Sequence, residues 1–208
     1  MEVLAGAIDA ARPSLDPLEQ RVALTLYGLL AGGQPVPVDA LAARVDEPPA
    51  IAERILDRWP GVFRDDQQRV IGFHGLSLGE TPHSFRVNGR QLYAWCAWDT
   101  LFLPQLLKAQ AQVESRCPST GEPVRLTVSP ARVESATPSQ AVVSMLVPGS
   151  KFDEDVVTSF CHYIHFFSSE QAAETWIARH PGTFTLSLEQ AFELGQATNR
   201  AQFPTALN

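Results

Sequence analysis

Cysteine is scarce: the 208-residue chain has three, at positions 96, 117 and 161, and no two of them show C-x-x-C spacing. That excludes the zinc-ribbon and thioredoxin-like signatures. Three thiols are also a poor disulfide framework for a compartment that keeps thiols reduced. Long apolar runs are absent, since none reaches the ~18 residues a membrane span needs. The N-terminus has no basic patch followed by an apolar core, so no secretory signal is expected, and the expected location is the cytoplasm. Positive charge is in deficit. Sixteen Lys and Arg against 23 Asp and Glu give a net charge of −7, which argues against nucleic acid or an anionic membrane as partner. Repeats, low-complexity tracts and flexible linkers are missing too. The balance that is present, 45% hydrophobic and 19% charged, is that of an ordered globular protein. The length suits one medium domain, or a small domain joined to a larger one.

The first helix is expected over residues 3–11, stopping before Pro13. A stronger one opens at Asp16-Pro17-Leu18-Glu19, with Asp as N-cap, Pro at N1 and Glu at N3. Leu18, Val22, Leu26 and Leu29/Leu30 repeat at helical spacing until Gly32-Gly33. Two shorter helices, 38–45 and 49–59, complete a helix-turn-helix outline. Strands are expected over 69–73 and 84–87, the latter returning through Asn88-Gly89 into 90–93. Together these resemble a winged helix. Residues 1–80 carry seven Arg and Lys against twelve Asp and Glu, a net of −5. With Glu53 and Asp57 beside Arg54 and Arg58, the candidate recognition helix is a solvated face, not a phosphate-binding one.

Beyond this point the chain reads as helix over 94–109, kinked or ended by Pro104, then strands over 113–116, 124–129 and 142–147. The aromatic segment 161–167 reads as a buried strand. Capping-box patterns at Ser168-Ser169-Glu170-Gln171 and Ser187-Leu188-Glu189-Gln190 start two closing helices. The expected fold class is α+β: a winged-helix-like region, 1–80, packed on a mixed α/β domain, 81–208, whose sheet is mainly antiparallel.

Two segments carry candidate chemistry. In Tyr93-Ala94-Trp95-Cys96-Ala97-Trp98-Asp99-Thr100, a helix would set the Cys96 thiol and the Asp99 carboxylate on one face. The apolar setting should raise the pKa of Asp99, and a helix N-terminus should lower that of Cys96. A core helix with a filler cysteine explains the same residues. In Ser159-Phe160-Cys161-His162-Tyr163-Ile164-His165-Phe166-Phe167, a strand would put Cys161, Tyr163 and His165 on one face. A zinc site from Cys96, Asp99, Cys161 and His165 is chemically sensible but matches no established spacing.

The Tyr-Ala-Trp-Cys-Ala-x-Asp-Thr run around Cys96 and Asp99 resembles the signature of the organomercurial (alkylmercury) lyases. So does the Ser-Phe-Cys-x-x-x-His-Phe-Phe run around Cys161. The segments Cys117-Pro-Ser-Thr-Gly-Glu-Pro-Val, Leu126-Thr-Val-Ser-Pro130 and Leu188-Glu-Gln-Ala-Phe-Glu-Leu-Gly195 are similar to the same family. The resemblance is strongest from Leu92 to Gly195. In two places the chain departs from it: His162 stands where some members carry a second cysteine, and Trp98 where a smaller apolar residue is common.

The resemblance implies an 81–208 catalytic domain that protonolyses carbon–mercury bonds, releasing a hydrocarbon and Hg(II). It implies that Cys96 attacks mercury, Cys161 adds as second thiolate, and Asp99 carries the proton to carbon, so that Cys96, Asp99 and Cys161 hold the metal. Soft mercury prefers thiolate sulfur. Trp95, Trp98 and Phe160 would form a water-poor pocket, and Cys117 would be structural. No organic cofactor or resident metal is implied. The implied partners are the organomercurial, low-molecular-weight thiols, and a mercuric reductase as acceptor of Hg(II). Two other readings stay open on the residues: a mercury-binding or mercury-sensing winged-helix regulator without turnover, and a zinc-stabilised interaction domain.

Overall fold

The computed structural model describes residues 1–153 and 155–207. Four helices open the chain: α1 (Glu2–Ala11), α2 (Pro17–Leu30), α3 (Val38–Val45) and α4 (Pro49–Arg58). The start of α2 is fixed as its residues dictate. The Asp16 carboxylate accepts the Glu19 N–H at 2.8 Å, and the Glu19 carboxylate accepts the Asp16 N–H at 2.9 Å. Val22, Ala23, Leu26 and Leu30 form its fully buried stripe, each large side chain worth about 1.5–3 kcal/mol of burial.

Strands β1 (Val62–Arg64), β2 (Val70–Phe73) and β3 (Leu76–Ser77) follow, then β4 (His83–Val87) and β5 (Arg90–Ala94). Asn88 and Gly89, with φ of 50° and 74°, make the β4–β5 turn that the Asn-Gly pair demands. After α5 (Asp99–Leu107) come β6 (Ala111–Arg116), β7 (Pro123–Val128) and β8 (Val133–Thr137). These strands form one antiparallel sheet in the order β1-β2-β3-β5-β4-β6-β7-β8. It has strands on both sides of residue 80, because Leu76 pairs with Ala94 and Ser77 with Tyr93. The helical region and the rest of the chain therefore share a sheet. Along β6, Ala111, Val113 and Ser115 face inward while Gln112, Glu114 and Arg116 face out.

A second antiparallel sheet has the order β10-β9-β11, from β9 (Val142–Leu146), β10 (Phe166–Phe167) and β11 (Thr183–Ser187). The remaining helices are α6 (Val156–Ser159), α7 (Glu170–Arg179) and α8 (Leu188–Gln202). Ser187 and Gln190 cap α8 reciprocally. At α7 the cap is Ser169 and not Ser168, its hydroxyl accepting the Ala172 N–H. Helices α5 and α8 touch closely at Gly195, where a Cβ would lie 2.7 Å from that of Phe102. The fold is α+β with mainly antiparallel sheets, as expected.

Two expected elements are replaced. Residues 94–98 are not the start of a helix: Ala94 pairs in β5 with Leu76 and His83, and α5 begins only at Asp99. Sheet pairing here overrides a helical propensity that is weak by itself. Residues 161–167 are not one strand. Cys161–Tyr163 form a single 3₁₀ turn, closed by Tyr163 N–H to Phe160 O at 3.0 Å and Ile164 N–H to Cys161 O at 3.0 Å. Phe160, Cys161 and Ile164 are the buried residues there, a spacing of one turn and not of a pleat.

Candidate active site

Two irregular segments between regular elements meet at the site. The turn 95–98 joins β5 to α5, and the 3₁₀ turn at Cys161 joins α6 to β10. They are tied by the Ala97 N–H, which donates to Ile164 O at 3.2 Å. Cys96, Asp99 and Cys161, exposed by 0%, 5% and 6%, bring one sulfur or oxygen atom each to within 4.8 Å of one another. Among the described residues this is the one cluster of metal-ligating side chains with that proximity. The three candidate residues named from the sequence thus come together, although Cys96 is not on a helix. The pair is close because the Cys96 N–H donates to Asp99 Oδ2 at 2.8 Å, so the carboxylate at the head of α5 reaches back over the turn.

His165 does not join them. Its Nε2 lies 2.8 Å from His162 O, and its ring packs edge-on against Trp176 at 4.8 Å. The four-ligand site with His165 is not formed, because the 3₁₀ turn rotates Cys161 away from the face a strand would share with it.

The electrostatics correct one expectation. Burial pushes the Cys96 thiol well up, aided by its hydrogen bond to Cys161 and by nearby Asp99. Cys161 is drawn down by the hydrogen bond with Cys96, but burial and Asp99 outweigh this and leave it raised. Neither thiol is lowered by a helix end. Cys96 precedes α5 with a carboxylate between, so desolvation decides. Asp99 behaves as expected: burial raises it to about 6, against the opposing hydrogen bonds of Cys96 and the charge of Arg12. At neutral pH the site holds two protonated thiols beside an ionised carboxylate that is a stronger base than an exposed aspartate.

Asp99 and Cys161 open on a cavity of about 40 Å³. Trp95, Trp98, Phe102, Phe152 and Phe160 supply its aromatic wall. Trp98 is fixed by its Nε1–H, which donates to Ala191 O at 2.9 Å, and meets Phe102 at 5.0 Å and Phe160 at 6.3 Å. Trp95, Trp98 and Phe160, named from the sequence, all line this cavity.

Several lining residues carry no signal in the sequence. Gly75 has φ of +96°, and a Cβ there would sit 2.6 Å from Asp99 Cγ. Only glycine fits against this carboxylate. Its neighbour His74, also at positive φ, is pushed down to about 3 by burial and stays neutral. Tyr27 anchors that corner through its hydroxyl, which donates to His74 O at 2.9 Å. Arg12, just past α1, lies with its guanidinium carbon 5.4 Å from the Trp98 ring centre and 5.2 Å from that of Phe102. A lone His-Gly pair or an arginine after a short helix is common in any sequence, and only the fold brings these residues to the cysteines.

Cys117 is elsewhere, buried in the turn between β6 and β7. Its N–H donates to Glu122 O and its carbonyl accepts the Gly121 N–H.

Comparison with known proteins agrees with this geometry. The alkylmercury lyase family model matches residues 76–199, a span that contains all three clustered residues. The alkylmercury lyase of Bacillus cereus is 47% identical over 171 residues, 82% of this chain and 77% of that protein. That of Pseudomonas putida is 42% identical over 83% of this chain and 80% of its own length. Among solved structures, the mercury-bound form of MerB2 superposes with a TM-score of 0.75 at 28% identity, covering 97% of this chain and 98% of that one. Likeness of this depth, over the sheet, both irregular turns and the buried trio between them, has one meaning: the chain belongs to the alkylmercury lyase family.

Proposed function

We propose that the protein is an organomercurial lyase whose chemistry is done by Cys96, Cys161 and Asp99. The observation that carries this is the trio itself: two buried thiols and one carboxylate of raised pKa, with ligand atoms within 4.8 Å, on an aromatic cavity. Soft Hg(II) selects the sulfurs over surrounding oxygen and nitrogen donors. The carboxylate is the base and acid that protonolysis needs.

The substrate arrives as R–Hg(II) carried by a cellular thiolate. Cys96 attacks mercury as its proton passes to Asp99 and on to the departing carrier thiolate, which leaves as R′SH. Cys161 then adds its sulfur and gives its proton to Asp99, raising electron density on mercury and weakening the bond to carbon. Asp99 delivers a proton to the carbon as that bond breaks. The balance is R–Hg–SR′ plus two Cys–SH giving (Cys–S)₂Hg, R–H and R′SH. The two cysteine protons end on R and on R′S, and no electron is gained or lost overall. Each step starts from a neutral thiol, so the raised cysteine pKa values fit a site that makes its charge only when mercury is there to receive it. The aromatic wall keeps water from competing for the proton. Hg(II) then leaves the two sulfurs for low-molecular-weight thiols or a mercuric reductase. The cycle uses no organic cofactor. No described helix is long and apolar enough to cross a membrane.

The test is benzene release from phenylmercury in excess thiol, followed by gas chromatography. Catalytic release at many turnovers is expected. Stoichiometric mercury binding without benzene would make the protein a mercury binder and end the lyase reading.

A further inference from the structure

The hairpin between β2 and β3 turns in two residues, since Phe73 pairs with Leu76. His74 and Gly75 make the turn at φ of 35° and 96°, the positive pair that a tight hairpin favours. A turn of this kind ordinarily projects into solvent. This one is folded inward. Gly75 is buried, and a Cβ on it would meet Asp99 Cγ at 2.6 Å and Oδ1 at 2.7 Å. His74, which does carry a Cβ, is held in a backbone conformation unfavourable to it. Three hydrogen bonds keep the turn in place. The His74 N–H donates to Gly61 O at 3.1 Å, and the Trp95 N–H donates to Gly75 O at 2.9 Å. The third comes from a distant helix: the Tyr27 hydroxyl of α2 donates to His74 O at 2.9 Å. Tyr27 is buried, with its ring centre 4.8 Å from that of Phe73 at the end of β2.

We infer that the His74-Gly75 turn is the seat of the Asp99 carboxylate and that Tyr27, acting through it, is a positioning residue for the proton transfer, an inference that rests on the lyase reading above. It brings into the reaction a helix outside the 81–208 segment in which the sequence places the chemistry. The carboxylate is fixed on two sides. Its Oδ2 accepts the Cys96 N–H at 2.8 Å, and Gly75 closes on it from the other side. The first contact belongs to the turn that carries the attacking sulfur. The second is a stop, set by how far the 74–75 turn reaches. The Trp95 bond ties that turn to the residue before Cys96, and the Tyr27 bond ties it to α2. Without the hydroxyl, the His74 carbonyl loses a buried donor in a backbone that is already strained. The turn then relaxes and the carboxylate loses its stop. The sulfurs are held by other bonds, that of the Ala97 N–H to Ile164 O among them, so mercury binding is spared. A tyrosine that only satisfies its hydroxyl in the core acts on stability alone. One that seats Asp99 acts on turnover, and only while the carboxylate is there to be seated.

Tyr27→Phe removes the hydroxyl and nothing else. Benzene release from phenylmercury in excess thiol, and Hg(II) affinity, are measured per folded molecule for the wild type, Tyr27→Phe, Asp99→Asn and the double variant. Tyr27→Phe should lower kcat by roughly 10- to 100-fold, as a misplacement of about 1 Å does, with Hg(II) affinity at the wild-type level. In the Asp99→Asn background the same substitution should leave the residual kcat unmoved, because a double-mutant cycle isolates what passes through the second residue. Three results overturn the positioning role: unchanged kcat in folded Tyr27→Phe, an equal fall of kcat and Hg(II) affinity, or a fall that persists in full without the carboxylate. Should Tyr27→Phe not fold, Gly75→Ala displaces the carboxylate from the turn itself and enters the same four-way comparison, where the same results overturn the seat. Failure of the wild type to release benzene would instead remove the lyase reading on which the seat depends.

Discussion

Cys96 and Cys117 are equally hidden, 0% and 1% exposed, and their protons are held in opposite ways. Around Cys117, burial pushes the thiol up. The Thr120 hydroxyl and the N–H groups of Ser168, Thr120 and Ser119 pull it further down, leaving it below its ordinary value. Around Cys96 the neighbours are a second thiol and a carboxylate, and with burial they drive the pKa well up. A thiol surrounded by donors is stabilised as an anion, yet among the described residues Cys117 stands outside the cluster of metal-ligating side chains and serves the turn. A thiol kept neutral beside a carboxylate of raised basicity can give up its proton to it once a soft cation binds the sulfur and lowers the thiol's proton affinity. Reactivity toward mercury on this view follows from the partners and not from a lowered thiol pKa, which is the reverse of the rule for ordinary cysteine nucleophiles.

The comparison is broken most directly at the sulfurs. Cys96→Ser or Cys161→Ser should lower benzene release by roughly 10⁴-fold or more, as removal of a nucleophile does, with the fold kept. Turnover of phenylmercury by Cys161→Ser near the wild-type rate would show that one sulfur suffices. Asp99→Asn comes next. It keeps shape and hydrogen bonding but cannot shuttle a proton, so hydrocarbon release should fall by roughly 10²–10⁴-fold while Hg(II) still binds the two sulfurs. Mercury affinity and benzene release are measured on one preparation, and equal loss of both would make Asp99 a ligand only. The same variant reports on stability. Asp99 is raised from 3.8 to about 6 in the folded protein, so the fold holds a proton that the unfolded chain has released between those values. Stability should therefore fall as pH rises from about 4 to about 6, by on the order of 1–3 kcal/mol. Urea midpoints across that window should lose this slope in Asp99→Asn.

What the sequence revealed follows the same divide between local and distant causes. The capping boxes at Asp16 and Ser187, the Asn88-Gly89 turn and the alternation along β6 are local, and each is formed as read. Strands β1, β3, β8 and β11 went unread, β1 and β3 because two or three residues cannot display a period. The two turns that carry Cys96 and Cys161 were misread as helix and strand. Both are held by contacts far apart in sequence, Ala94 with Leu76 and Ala97 with Ile164. The trio was legible only because its motifs resemble a known family. Gly75, Tyr27 and Arg12 were invisible, since what makes them matter is a neighbour more than 20 residues away.

Gly75 allows the proposed proton carrier, Asp99, to be disturbed without replacing it. A methyl group at this position would meet Asp99 Cγ at 2.6 Å in a backbone already at φ +96°. Gly75→Ala should cost about 1–3 kcal/mol and shift the carboxylate off the Cys96 N–H, lowering turnover more than Hg(II) affinity. Unchanged turnover in a fully folded variant would show that the position of Asp99 tolerates more than this geometry suggests.

The smallest effect belongs to Cys117, and it sharpens the contrast best. If this sulfur serves only to accept hydrogen bonds in its turn, an oxygen in the same place should serve nearly as well. Cys117→Ser should then cost about 1 kcal/mol or less, a modest buried substitution. Cys117→Ala removes the acceptor and leaves N–H groups of Ser119, Thr120 and Ser168 without a partner, so it should cost more, about 1–3 kcal/mol. The pocket thiols should give the opposite pattern, serine there removing the proposed chemistry whatever it does to stability. Thermal or urea unfolding of the two Cys117 variants, with benzene release per folded molecule measured alongside, decides the matter. The expected order is wild type, then serine, then alanine in stability, with turnover level across all three. Loss of turnover in a Cys117 variant whose melting temperature is unchanged would mean that this third sulfur handles mercury too, and that the surroundings of a thiol do not separate the two roles.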